Sequence, residues 1–232
     1  MNPNGFSSPH RVGVFLLLAV ALAGCSDDTA SIEPQVCPSF TGMTREGVAW
    51  TYGPSDSFAG EGWTGEDHYF LNAMSTSTDD GSLSITIDNA STLEQAGLKY
   101  EANGSSWYTC DERGLSIRSR HSLTCDVPMS GPCTLFDASY DPPLLFVPSD
   151  LHDGSTWSAT TTATIQGNTG EALVEARTYD SVATATTITT PAGTFDALDV
   201  ASTREGSTTH SYLAAVEGTV ATDEYVLQEY TP

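Results

Sequence analysis

Arg113, Arg118, Arg120 and His121 form the sharpest chemical anomaly in the chain, holding three of its eight Lys and Arg residues within eight positions. Strand alternation would put Arg118 and Arg120 on one face, where guanidinium groups could grip an anion through paired hydrogen bonds. Asp111 and Glu112 offer the competing use, as salt-bridge partners. Asp79-Asp80-Gly81 and Asp150-x-x-Asp153-Gly154 present carboxylates of the kind that bind calcium. Neither keeps the D-x-[DN]-x-[DN]-G spacing with its distant Glu, and Asp and Gly are ordinary turn residues. No metal site or cofactor is expected. Glu66-Asp67-His68, His152 and His210 suggest acid–base work, but there is no G-x-S-x-G and no H-E-x-x-H. A hydrolase also needs a nucleophile with an oriented base, and Ser and Thr are too abundant here to single one out. Trp50, Trp107, Trp157, Tyr52, Tyr69 and Phe70 could line an apolar cleft or fill a core. Trp63 stands in a Gly-rich stretch (AGEGWTG) and is the candidate exposed contact.

The chain has 232 residues, with 30 Asp and Glu giving a net charge of −22. That balance excludes most nucleic-acid roles, which need clustered cations to neutralise phosphates. At 39% hydrophobic residues the chain can still build a core.

Short alternating runs between turn residues dominate, and no long stripe of period 3.6 is present, so the chain reads as all-β. Leu83, Ile85 and Ile87 alternate with Ser84, Thr86 and Asp88, and Trp157 to Ile165 alternates with Ser and Thr. Leu98–Glu101 and Trp107–Cys110 are predicted to flank a turn at Asn103-Gly104. Ala90–Ala96 reads as a short helix capped by Ser91. Glu171–Arg177 is rich in helix formers but alternates as a strand does. Later strands are predicted near 182–189, 195–202, 208–216 and 224–230. Residues 121–155, with two cysteines and five prolines, read as a long loop. Gly47-x-x-Trp50 and Gly154-x-x-Trp157 both open strands, so the halves 46–120 and 145–232 could be related.

At the N-terminus, Arg11 precedes the 12-residue apolar run Val12–Ala23. That is shorter than the roughly 20 residues a membrane span needs and fits the h-region of a signal peptide. Leu22-Ala23-Gly24-Cys25 then resembles the lipobox of bacterial lipoproteins. The resemblance implies that residues 1–24 are removed and Cys25 carries lipid, giving stable attachment through more than one acyl chain. Residues 25–45 would be a tether and 46–232 the domain. Cleavage removes Arg11 and no carboxylate, so the mature side-chain charge becomes −23. Ser26 after the lipid cysteine suggests outer-membrane sorting by the same resemblance. Four cysteines would remain, an even number that reads as two disulfides in an exported chain. Cys125 and Cys133 flank the Pro/Gly-rich DVPMSGP and make the favoured pair, leaving Cys37 with Cys110; Cys110 with Cys125 is the alternative.

Phe146-Val-Pro148, Gly154-Ser-Thr-Trp157, Thr190-Pro-Ala-Gly-Thr-Phe-Asp-Ala-Leu198 and Tyr212 before Gly218 resemble a pattern in uncharacterised bacterial lipoproteins. The resemblance covers about 85 residues and departs at Ala215-Val216-Glu217. It implies antiparallel strands in a curled sheet, a half-open barrel or sandwich, distantly like lipoprotein-carrier domains. Phe195 and Leu198 in its hairpin have odd spacing, so either both faces are buried there or a bulge intervenes.

These readings converge on a lipid-anchored bacterial cell-envelope protein of the outer membrane, non-catalytic, with a structural role or one in binding an envelope partner. The alternatives are a carrier or sensor of an apolar ligand and a hydrolase of unrecognised type. A Cys25→Ser chain is expected to take up no acyl label in a lipoprotein-processing host; label retained on that variant refutes the anchor.

Overall fold

The computed structural model describes residues 47–76, 82–127, 133–168 and 170–232. Twelve antiparallel strands form one closed barrel in sequence order. They are β1 (Ala49–Pro54), β2 (Trp63–Thr76), β3 (Leu83–Gln95), β4 (Leu98–Asp111), β5 (Gly114–Val127) and β6 (Thr134–Pro148), followed by β7 (Thr156–Gly167), β8 (Ala172–Thr190), β9 (Gly193–Arg204), β10 (Ser207–Ala214), β11 (Gly218–Thr222) and β12 (Tyr225–Thr231). A one-turn helix, α1 (Asp56–Gly60), joins β1 to β2, and the Ser55 side chain accepts from Phe58 N at its start. The sheet is closed, rather than half-open or a sandwich, because β1 pairs with both β12 and β2. A single meander replaces the expected two halves.

Two local expectations fail for one reason. Asn103-Gly104 lies inside β4, and Ala90–Gln95 continues β3. The turn falls at Ala96-Gly97, whose φ values of 53° and 78° suit a tight hairpin with the twist of its strands. Gly104 is kept for packing, since a Cβ there would lie 2.6 Å from Asn89 Oδ1. Residues 121–155 are mostly strand, with β5 running to Val127 and β6 starting at Thr134. The Cys125–Cys133 disulfide spans the connection. Cys110 is fully buried and disulfide-bonded, while Cys37 and Cys25 lie outside the described residues. Asp79, Asp80 and Gly81 also lie outside them. Glu171–Arg177 is strand from Ala172 onward, because pairing with β7 overrides helix propensity. Gly47 and Gly154 precede their strands with φ of 85° and 84°, a shared strand-start geometry.

The main core lies toward the barrel end formed by the β4–β5, β6–β7 and β8–β9 turns, called here the lower end. Ile85, Leu115, Val147, Ala183 and Val200 meet there, packed by Trp157 and Phe146. A second cluster joins Val48, Trp50, Tyr52 and Leu227 to Ala197 and Ala214. The β8–β9 register runs without a shift, so Phe195 serves the second cluster and Leu198 the first. Both faces of that hairpin are therefore covered. The outward face of β7 and β8 carries Thr160, Thr162, Thr178 and Asp180, with Val174 and Val182 also exposed on it. Cross-strand hydroxyl contacts such as Thr160–Thr178 (3.0 Å) and Thr203–Thr208 (2.8 Å) use its many threonines.

Leu115 is 1% exposed within the main core. Leu115→Ala is expected to lower unfolding free energy by about 2–5 kcal/mol, read from urea unfolding; a loss under about 1 kcal/mol would contradict that packing.

Candidate functional site

Residues opposite one another in adjacent strands share a face, so register alone traces the barrel interior. Buried Ile87 leads across to Ser106, Arg120, Ala138, Ile165 and Leu173 in one unbroken row. The next row, toward the opposite or upper end, runs Tyr69, Asn89, Gly104, Ser122 and Phe136. Above that come Asp67, Ser91, Ala102, Thr124 and Thr134. The lower interior is thus branched aliphatic and the upper interior small or polar. Small side chains on β4 and β5 leave room there. Phe136 and Leu173, near the upper ends of β6 and β8, face inward yet are 41% and 55% exposed.

Arg120 is the centre of this region. A β-bulge sets it apart from Arg118: between Ile117 and Ser119 strand β5 carries one residue more than β4. Arg118 is that exposed extra residue, and Arg120 returns to the inward row. The expected shared face therefore does not form. Arg113 is drawn off separately, donating Nη2–H to Asp111 Oδ2 at 2.7 Å in the β4–β5 turn. Of the three arginines, only Arg120 belongs to the interior.

Arg120 is hemmed in by Tyr108, Tyr140 and Tyr69 and hydrogen-bonds Tyr108, while its side chain still meets solvent. Arg120 lines a cleft of about 310 Å³ together with Ala138, His121 and Asp137. Burial works against its charge, but the three tyrosines outweigh that and raise its pKa further. No carboxylate forms an ion pair with it among the described residues, although the chain carries 30 Asp and Glu. Asp67, 5% exposed, is the one buried carboxylate among the described residues. It is occupied by Ser91, which donates to Oδ1 at 2.5 Å, and by hydrogen bonds from Tyr69 and Asn89. Burial raises the Asp67 carboxyl above its ordinary range despite these donors, and it raises the Tyr69 hydroxyl too.

The upper mouth is partly closed by aromatic rings. Trp63 stacks on Phe58 of α1 at 5.0 Å, Tyr225 meets the same Phe58 edge-on at 5.4 Å, and Tyr100 lies against Trp63. Trp63 therefore begins β2 as a half-buried cluster member, not as an exposed loop contact. Burial pushes the Tyr225 hydroxyl up to about 12.

Compared with protein-family models, curated proteins and solved structures, the chain matches none. The chemistry of its residues is the remaining guide. At the lower end, a cleft of about 580 Å³ is bordered by Leu151, Leu198, Leu213 and Asp196 but has no cation. On the outer wall, Ser105, His121 and Asp137 follow one another across β4, β5 and β6. The His121–Asp137 contact is 2.5 Å, but Ser105 gives its hydroxyl to Asp88 at 2.6 Å. The arrangement lacks the nucleophile–base hydrogen bond of a triad. His210 is held by Asp199 at 2.8 Å, which raises its pKa. His152 meets Ser155 Oγ and the Asp150 carbonyl, and His68 meets Thr51 and Glu66. No cluster of three His, Cys, Asp or Glu suited to a metal occurs among the described residues. Asp153, a candidate calcium ligand in the sequence, instead accepts from Ala185 N.

The sequence pointed to Arg120 as part of a basic patch but gave no sign that it was inside. The signal lay in the small inward residues of β4 and β5, which acquire meaning only once the bulge is known. Because the folded-state pKa of Asp67 is raised, the native state holds a proton that the unfolded chain loses first. Stability falls as pH rises from the ordinary carboxylate range through the raised value. Asp67→Asn is expected to remove that fall, so it gains stability relative to the parent as pH rises above the ordinary carboxylate range, about pH 4; parallel urea curves across that rise would contradict it.

Proposed function

We propose that this chain is a non-catalytic, lipid-anchored protein of the bacterial cell envelope whose barrel takes a small ligand into its upper interior. The observation that carries the reading is the exposed inward pair Phe136 and Leu173 on the same face as Arg120. A packed barrel of this kind fills its inside with side chains, whereas a binding barrel leaves space for one ligand. Supporting it is the division of the interior, where an aliphatic floor gives rigidity and the wall above bears small and polar groups. The proposed anchor is the lipid on Cys25, since a side-chain charge of −23 offers no attraction to an anionic membrane surface. The Ser/Thr face of β7 and β8 fits a barrel held beside a bilayer in water rather than within it. The binding role favours the carrier or sensor reading over a purely structural one, and it needs neither metal nor cofactor.

The test is saturable binding of an environment-sensitive apolar dye to the full chain carrying Cys25→Ser. One dye per chain is expected. Ser122→Phe, which fills an inward position beside Phe136, is expected to weaken it at least tenfold while the chain stays folded. Absence of saturable binding, or binding unaffected by that filling, would overturn the reading.

A further inference from the structure

A cation inside a barrel is costly unless something compensates it. Arg120 has tyrosine hydroxyls around it and no ion-pair partner among the described residues. The other inward arginine of known partner, Arg177, shows the contrast: it pairs with Glu175 on its own strand. The acidic composition makes the isolation of Arg120 more telling, because carboxylates are plentiful elsewhere. Tyrosine hydroxyls can donate to an oxyanion as well as accept from a guanidinium. Arg120 with Tyr108 and Tyr140 therefore presents donors in one region of the interior, while the Tyr69 hydroxyl is already given to Asp67.

The surface beside that region is apolar. From Arg120 the inward row continues through Ala138 and Ile165 to Leu173, with Phe136 alongside. Three strand spacings separate Arg120 from Leu173, roughly 14 Å at ~4.8 Å each. One end of the row is cationic and the rest is hydrocarbon, so the complementary ligand has a single anionic head and an apolar body.

Resting on the binding role proposed above, we infer that the ligand is an amphipathic monocarboxylate, its carboxylate held by Arg120 and its apolar body lying on Phe136, Ile165 and Leu173. A planar carboxylate matches the two-pronged guanidinium, and its charge compensates Arg120, which has no ion pair among the described residues, whereas Arg177 and Arg204 are paired with Glu175 and Glu205. A phosphate dianion would leave one negative charge uncompensated.

The experiment measures binding of decanoate, decanol and decyl phosphate to the full Cys25→Ser chain by calorimetry. Decanoate is expected to bind more tightly than either of the others. Arg120→Gln is expected to weaken decanoate by about tenfold to a hundredfold, the range of a lost charged hydrogen bond, and to leave decanol unchanged. Arg120→Lys should restore part of the loss. Should either substitution unfold the chain, the titration of ¹³C-carboxyl decanoate bound to the parent chain decides. Its midpoint is expected below that of free decanoate, as a neighbouring guanidinium dictates. An unshifted midpoint, decanoate binding that survives Arg120→Gln, or tighter binding of decyl phosphate would each overturn the assignment. If the dye and decanol bind while decanoate gains nothing from Arg120, this inference fails and the binding role stands. If none of the probes binds, both fail.

Discussion

Pairing of β1 with β12 is the constraint on which the rest of the architecture depends. It joins Ala49 to Thr231 at opposite ends of the described chain and removes the exposed edges that a long antiparallel meander would leave. Side chains of β1 reinforce the seam from within. Trp50 Nε1 donates to the Glu217 carbonyl at 2.6 Å, and the Tyr52 hydroxyl donates to the Thr219 carbonyl at 2.7 Å. Ser55 adds two contacts to the β11–β12 turn, through its backbone N–H to Glu224 and its hydroxyl to Asp223. These bonds give the strands near the C-terminus a fixed place and let α1 carry Phe58 to the upper mouth.

Closure also creates an inside, and the inside is chemically graded. Ile85, Leu115, Val147 and Val200 fill the lower end by ordinary packing. Above them the rows carry Ser, Gly, Ala and Asn alongside Tyr69 and Phe136, and Arg120, Phe136 and Leu173 remain exposed there. The bulge at Arg118 links the two regions. One extra residue in β5 breaks the alternation and brings a cation to the boundary between apolar floor and polar wall. Asp67, buried against Ser91, is engaged within its own row.

The strands were legible where one face is apolar and the other polar, as at Leu83–Ile87 and Trp157–Ile165. They were illegible where both faces carry small or polar groups. Ala90–Gln95 and Asn103-Gly104 look like helix and turn locally, yet each is fixed in a strand by partners on both sides. The proline-containing residues 134–148 look like loop, but β5 supplies a long-range ladder that local propensity does not show. The same blindness affected the arginines: even spacing predicts one face for Arg118 and Arg120, and a bulge reverses it.

The sequence by itself determined the all-β class and the alternation of the principal strands and favoured Cys125–Cys133 over Cys110–Cys125, because these depend on local periodicity and short chain separation. Tertiary structure alone decided that the sheet closes, that Trp63 packs against Phe58 and that Arg120 faces inward. Closure and bulges are properties of pairing between strands. They change which face a residue occupies without changing the residue or its neighbours in sequence, so no single segment contains them.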